Sequence, residues 1–356
     1  MTKKRILHIT SSLQMGGAEQ LLFQQLRFLK DDFEHHVICF HGGPFFEKIK
    51  ELDIPVYHLP YGPLFFIRFY RLVKKINPLV IHSLLWFANF CSRIVARILH
   101  KPIICAIHSP CNTNVGISRI RSLCDRLTMR WATYVIIVAA HIKDSPLYVP
   151  AHKIEQIDNG IDVRWLHDRA SQKKVERRAR LVLGTVGRLV PIKNQEFLLK
   201  ILKELKNAFS SIQLIIIGSG PLHDLLLEKV QGLGLEHNVT IIADEATFYY
   251  PLFDLFFLPS HAEGLSMALL EAMSFGVPSF VASKSLYHPI IVHNHNGYLF
   301  DLEKPHLLIQ MVKKVLGNEK MKQMIRVQAI KTVVENFSIE KMGNMYKDFY
   351  HKLGNF

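Results

Sequence analysis

The chain reads as an α/β protein of two open domains, each a parallel sheet covered by helices. Three observations predict this. At 356 residues the chain exceeds what one ordinary hydrophobic core serves and suits two. Hydrophobic residues make up 49% of it and charged residues 21%, which is ample material for packed cores and no basis for disorder. Short β-branched or apolar runs alternate throughout with longer stretches of helical period, the pattern of parallel strands joined by crossover helices.

In the first half, strands are expected at Ile6 to Thr10, His36 to Phe40, Val56 to Leu59, Leu79 to His82, Ile103 to Ile107 and Tyr134 to Val138. Helical period occupies Ala18 to Lys30, Leu64 to Ile76, Trp86 to Leu99 and Gly116 to Trp131. The turn signal Asn159-Gly160 and the stretch Asp168 to Arg180, almost without large apolar side chains, read as a surface linker between domains. Alternation then resumes, with strands at Leu181 to Val186, Gln213 to Ile217, Val239 to Ile242, Leu255 to Leu258 and Ser279 to Ala282. Helices fall at Gln195 to Lys206, Leu222 to Leu233 and Ser266 to Ser274, and from Pro305 to Leu353 the pattern is helical only, with Ser338 as N-cap of the last helix. The expected division is residues 1–165, 166–336 and a closing helix over 337–356.

Several function classes are disfavoured. No run approaches the roughly 18 to 20 consecutive apolar residues of a membrane span, and the apolar run Ile6 to Ile9 is too short for a signal-peptide core, so a cytoplasmic protein is expected. The five cysteines are an odd number without a Cys-x-x-Cys pair, and the 19 histidines show no metal spacing. Packing thiols and no structural metal are the expectation. The formal charge of +14 favours anionic partners, among them nucleic acid, acidic lipid and phosphorylated small molecules. Nucleic acid is disfavoured, because aromatic and basic residues are not interleaved on a reading surface.

Four segments carry candidate chemistry. Gly16-Gly17 follows the first strand and opens a helix, where backbone amides and about half a positive charge from the helix N-terminus favour an anion. The spacing is not Gly-x-Gly-x-x-Gly, and no acidic residue ends the second strand, which weakens a dehydrogenase reading; a plain tight turn is the alternative. Arg188 and Lys193, in Gly187-Arg188-Leu189-Val190-Pro191-Ile192-Lys193-Asn194, end the first strand of the second domain and combine a planar fork with a point charge suited to a diphosphate. Gly218-Ser219-Gly220-Pro221 is a further strand-to-helix turn. The strongest segment runs from Pro259 to Met273: Glu263 lies before a helix and Glu271 inside it, two carboxylates able to accept sugar diols, with the amides of Gly264, Leu265 and Ser266 facing a phosphate. Taken as a pair alone, the glutamates also fit an amphipathic helix.

Together and in this order, these segments and Ile157-Asp158-Asn159-Gly160-Ile161-Asp162 resemble the retaining glycosyltransferases of family 4, over nearly the whole chain. The resemblance implies the GT-B fold, two Rossmann-like domains facing across a cleft with the C-terminal helix returning to the first. It implies that Arg188 and Lys193 hold the donor diphosphate, Glu271 the ribose and Glu263 the transferred sugar, that Gly16-Gly17 approaches the sugar phosphate, and that His108 lies near the reacting centre. Without the resemblance, His108 reads as a structural strand-end histidine. Ser283 to Ile290 departs from the family pattern Thr-Asp-x-Gly-Gly-x-x-Glu, lacking two glycines and the glutamate.

The expected activity is retaining transfer from a nucleotide-diphosphate sugar, UDP- or GDP-linked, to a lipid-linked or saccharide acceptor, with no metal or other cofactor. A sugar-nucleotide epimerase or phosphorylase on the same fold, or a silent nucleotide-sugar-binding protein, remains open. At about 100° per residue, Phe65, Phe69, Leu72 and Ile76 share one helix face, Arg68, Arg71, Lys74 and Lys75 the other, with Phe66 and Tyr70 between. Arg119, Leu123, Arg126 and Arg130 form one stripe of the fourth helix. Both point to docking on an anionic membrane surface; ordinary surface helices are the alternative.

Overall fold

All strand pairings in the described residues are parallel, as the alternation of short apolar runs with helices requires. The structure is a computed structural model that describes residues 3–108, 119–139, 142–143, 147–284 and 290–353. The chain divides into two units, Met1–Gly160 with Ile339–Phe356, and Ile161–Ser338.

In the first unit, β1 (Arg5–Ser12), β2 (Glu34–His41), β3 (Val56–His58), β4 (Val80–Leu84), β5 (Ile103–Ile107), β6 (Tyr134–Ile137) and β7 (Ile154–Gln156) form a sheet in the order β3-β2-β1-β4-β5-β6-β7. The helices are α1 (Gly17–Leu29), α2 (Pro44–Lys50), α3 (Phe65–Ile76), α4 (Trp86–Leu99) and α5 (Arg119–Thr128). In α3 the buried positions are Phe65, Phe69, Val73 and Ile76, a spacing of four, four and three that lays one stripe on the sheet. The expected helix from Gly116 is described only from Arg119, and it passes into a 3-10 turn at Met129–Trp131. A buried ion pair, Arg93 to Asp125 at 2.6 Å, joins α4 to α5; Trp86 Nε1 also donates to Asp125, and Arg93 Nε to Thr128 Oγ1.

The second unit holds α6 (Val163–Ser171), β8 (Leu181–Val186), α7 (Glu196–Lys206), β9 (Ile212–Ile217), α8 (His223–Gly232), β10 (Val239–Ile242), β11 (Leu255–Leu258), α9 (Met267–Ser274), β12 (Ser279–Ala282), β13 (Tyr298–Phe300), α10 (Pro305–Leu316) and α11 (Glu319–Asn336). Its sheet order is β10-β9-β8-β11-β12-β13. The expected linker Asp168 to Arg180 begins inside α6, which Asp162 caps by accepting from the Trp165 N–H at 2.8 Å. Only Leu166 of that helix is buried, so apolar period could not reveal it. What ties the stretch to this unit is polar: Arg169 grips Glu245 at 2.9 and 3.1 Å, Lys173 meets Asp244, and Arg177 meets Asp254.

After Ser338 the chain returns to the first unit as α12 (Ile339–Leu353). Gly343 lets it lie close on α1, since a Cβ there would overlap the Phe28 ring. Tyr350, fully buried, accepts from Gln25 Nε2 at 2.8 Å and donates to His82 Nδ1 at 2.7 Å. Nearby, His35 Nε2 donates to the Leu29 carbonyl at 3.2 Å, leaving its Nδ1 to accept from His8 Nε2 at 3.0 Å. These roles require neutral imidazoles. Burial enforces them, holding His8 well below the ordinary range and lowering His35 to about 4 and His82 to about 3.

Because the unfolded chain takes up these protons near its ordinary value of about 6.5 and the folded unit does not, stability falls as pH drops from about 6.5 toward 4. Urea titrations of the protein should show that loss. Tyr350→Phe should cost about 1–3 kcal/mol at pH 7.5, because Gln25 and His82 each lose a buried partner; unchanged stability in that variant would contradict the role given to this network.

Candidate functional site

In the second sheet the chain steps from β8 outward to β9 and β10, then returns to the other side of β8 as β11. The loops after β8 and β11 therefore diverge at one edge, the place where open parallel sheets leave a crevice for ligands. The β8 loop is laced to both neighbours. Leu189 N–H donates to the Ser219 carbonyl at 2.9 Å, and Leu222 N–H to the Leu189 carbonyl at 3.1 Å. On the other side His261 N–H donates to the Ile192 carbonyl at 2.8 Å. Gly218 permits the first contact, since a Cβ there would overlap the Gly187 carbonyl oxygen. Buried Gln195 holds the loop from beneath, its Nε2 donating to the Arg188 carbonyl at 2.9 Å.

This lacing brings two of the expected residues together. Lys193 Nζ lies 2.5 Å from Glu263 Oε1, with both side chains largely buried, and Ser260 Oγ donates to the same oxygen at 2.6 Å. The Arg188 side chain is exposed and has no hydrogen-bond partner among the described residues. Ser266 caps α9, accepting from the Leu269 N–H, so an eight-residue helix points its N-terminus into the same loop cluster. Inside α9, Glu271 is buried and accepts from the Tyr250 hydroxyl at 2.8 Å. Burial pushes its carboxyl up to about 7, against the pull of the Tyr250 hydrogen bond, and the charge of Glu245 adds to the rise.

The first-unit candidates lie on separate loops. Gly16 is the N-cap of α1, but the Glu19 carboxylate folds back against it and accepts from Ser12 Oγ at 2.8 Å. The helix end expected to receive a phosphate thus already faces an acidic side chain of its own first turn. His108 directly follows β5; its Nε2 is enclosed without a partner among the described residues, and burial lowers its titration to about 4, so the ring is neutral near pH 7. Ser109 and the stretch 285–289 of the divergent turn lie outside the described residues. Among the described residues, no group of three or more His, Cys, Asp or Glu side chains is placed to hold a metal ion.

Comparison with known proteins fits this geometry. The family described as Glycosyltransferase Family 4 matches residues 15–165, and the family described as Glycosyl transferases group 1 matches residues 166–332. The chain is a family 4 glycosyltransferase. Among its relatives is the UDP-Gal:alpha-D-GlcNAc-diphosphoundecaprenol alpha-1,3-galactosyltransferase of Escherichia coli, 22% identical over 98% of this chain and 97% of that one. The capsular polysaccharide biosynthesis glycosyltransferase CapH of Staphylococcus aureus is 25% identical over 75% of this chain and 78% of its own length. In fold, the chain is similar to Anabaena HepE solved in complex with UDP-glucose, with a TM-score of 0.85 at 19% identity over 98% of this chain and 99% of that one. The two Rossmann-like units and the returning C-terminal helix are those of the GT-B fold.

Sequence reasoning missed three polar residues of this glycosyltransferase: Tyr250, Ser260 and Gln195. Ser260 lies inside the segment Pro259 to Met273 without having been given a role, and could have been found by asking which nearby hydroxyl donates to the Glu263 carboxylate. Tyr250 precedes β11 by several residues and has no spacing relation to Glu271 on a helix or strand, so only the fold joins them.

Glu271 carries a measurable stability cost. A carboxyl that ionises near 7 when folded and near 4.3 when unfolded retains its proton better in the fold, so stability falls as pH rises between those values, by about 3 kcal/mol in all. Glu271→Gln should therefore stabilise the protein by about 1–3 kcal/mol more at pH 8 than at pH 5, measured by urea denaturation. An equal effect at both values would show that the carboxyl titrates normally.

Proposed function

We propose that this glycosyltransferase moves a sugar from a uridine-diphosphate sugar to an acceptor hydroxyl with retention at the anomeric carbon, the second unit binding the donor. The observation that carries the reading is the charged cluster at the strand-order reversal: Arg188 exposed, Lys193 paired to Glu263, and the α9 N-terminus beside them. Arg188 and Lys193 bind the diphosphate, and Glu271 accepts from the ribose hydroxyls. Glu263 accepts from the transferred sugar, with Gly264, Leu265 and Ser266 offering amides to the phosphates. Uridine is supported by the UDP-Gal donor in the name of the Escherichia coli relative and by the UDP-glucose bound in HepE.

The acceptor hydroxyl attacks the anomeric carbon on the face from which the diphosphate leaves. The bond from that carbon to the phosphate oxygen breaks, a new carbon–oxygen bond forms, and the hydroxyl proton passes to the departing phosphate. The two basic side chains stabilise the charge growing on the leaving group, an effect worth roughly 3–4 kcal/mol per well-placed donor, and no cofactor beyond the co-substrate is invoked. Neutral His108 serves as a hydrogen-bonding group near the reacting centre. Gly16-Gly17 keeps a steric role, leaving room for the sugar phosphate beside Glu19. Arg188→Ala and Lys193→Ala should each lower kcat at least about tenfold, and near-normal turnover in both variants would remove the assignment.

The acceptor is lipid-linked, and the first unit docks on the anionic inner face of the cell membrane in cell-surface polysaccharide or glycolipid synthesis. Support comes from α5, which exposes Ile120 by 71% and Leu123 and Leu127 by more than half, beside exposed Arg126 and Arg130. On α3, Phe66 and Ile67 are exposed among Arg68, Arg71 and Lys75. Each basic residue near anionic lipid contributes about 1 kcal/mol, so phosphatidylglycerol vesicles should sediment the protein at low salt and less at high salt. An Arg119/Arg126/Arg130 triple alanine variant should lose most of that recovery. Equal recovery on neutral and anionic vesicles, or no loss in the variant, would leave a soluble acceptor as the better account.

A further inference from the structure

Glu271 is an awkward residue on which to rest nucleotide recognition. It is buried, and the nearby charge of Glu245 opposes its ionisation. One of its partners is a neutral donor. The Tyr250 hydroxyl donates to Oε2 at 2.8 Å, and burial with the Glu271 charge raises that phenol well above its ordinary range, so it remains a donor throughout the working pH. The tyrosine ring is in turn held firmly. It stacks on Phe275 with centroids 5.7 Å apart and planes 17° apart, and meets Phe253 edge-on at 5.8 Å. Phe275 is itself stacked on His167 of α6 at 4.4 Å, and His167 Nε2 donates to the Ser274 carbonyl at the end of α9. An aromatic stack therefore runs from α6 to the hydroxyl that touches the carboxylate.

We propose that Tyr250 is a positioning residue for donor recognition, its hydroxyl fixing the Glu271 carboxylate in one orientation so that the enzyme selects ribose over deoxyribose nucleotides. The inference rests on the reading of Glu271 as the ribose acceptor. With Oε2 engaged by a rigid donor, the carboxylate cannot rotate freely about its last bond, and the diol meets an acceptor already oriented and already solvated by a hydrogen bond. Pairing a buried tyrosine with a carboxylate rather than with a backbone carbonyl serves no packing need, since a carbonyl would satisfy the hydroxyl without burying a charge.

The test compares UDP with 2′,3′-dideoxy-UDP, which shares its base and diphosphate, by calorimetry on the full-length protein. The wild type should favour UDP by about tenfold or more, the size expected of hydrogen bonds to a charged acceptor. Tyr250→Phe, which keeps the ring and its stack, should weaken UDP about five- to tenfold and leave the dideoxy compound within about twofold, so the preference collapses. Incorporation of 3-fluorotyrosine at position 250, a stronger donor of nearly the same shape, should increase the preference. A loss shared equally by both ligands in Tyr250→Phe would assign the tyrosine to packing alone and overturn the proposal. So would a preference that survives Tyr250→Phe, or that 3-fluorotyrosine leaves unmoved, while Glu271→Gln abolishes it; the ribose reading would then stand without the positioning role. Absence of any preference in the wild type would remove the ribose reading itself.

Discussion

One topological constraint governs the donor unit: β8 is flanked by β9 on one side and by β11 on the other, so its loop and the β11 loop part at the sheet edge instead of covering it. A loop that borders such a gap has neighbours only at its sides. Its backbone must be held laterally, and here it is, by Ser219 and Leu222 on one flank and His261 on the other. The requirement reaches back into the sequence. Gly218 is needed because two backbones touch there, and Gln195 because a carbonyl facing down toward α7 needs a donor. Once the loop is fixed, Lys193 and Glu263, seventy residues apart, have little choice but to meet.

The polar groups buried in the two units divide by how their charge is managed. Arg93 and Asp125 are an ion pair further satisfied by Thr128 and Trp86, and such a fully partnered pair mainly specifies how α5 sits on α4. The histidines under α12 avoid charge altogether, each in the tautomer its neighbours demand. Glu271 fits neither pattern. It keeps an acid near neutrality with a phenol donating to it, an arrangement that destabilises the fold at neutral pH. Buried groups with displaced titration concentrate at functional sites, and this one lies on the helix that starts at the candidate phosphate site.

The legibility of the chain follows from the range of the interactions involved. Strand–loop–helix turns are local, so the segments at Arg188, Gly218 and Glu263 could be read directly, and the apolar period placed the longer strands and α1, α3, α4 and α7. The three-residue strands β7 and β13 have few alternations to register and were not placed, whereas β3, equally short, was. Helix α6 was hidden because it is attached by Arg169, Lys173 and its Asp162 cap, not by an apolar face. The Gly16-Gly17 turn was read as an anion seat from backbone alone, and the structure adds the side chain that reading left out, Glu19. The links from Tyr250 to Glu271 and from Tyr350 to His82 join residues with no shared period, which only the assembled sheets bring together.

Polarity on the first unit's helices separates a covering helix from one built to meet something else. Helix α3 is ordinary in this respect, with Phe65, Phe69, Val73 and Ile76 inward and its basic residues outward, and its charges alone argue little. Helix α5 is inverted. Its buried positions include Asp125 and Thr128, whose burial is tolerable only because Arg93 and Trp86 reach them, while Ile120, Leu123 and Leu127 face outward. Arg121 lies over the Trp86 ring, so even the flank of the helix is bound through charge and aromatic surface instead of aliphatic packing. Ile120, Leu123 and Leu127 recur at intervals of three and four, one stripe of the helix, and a folded protein that spends a buried ion pair to keep such a stripe in solvent forgoes stabilisation available from the simpler orientation. The needs of the fold do not account for this stripe, and that is why α5 more than α3 supports the proposed docking on an anionic surface.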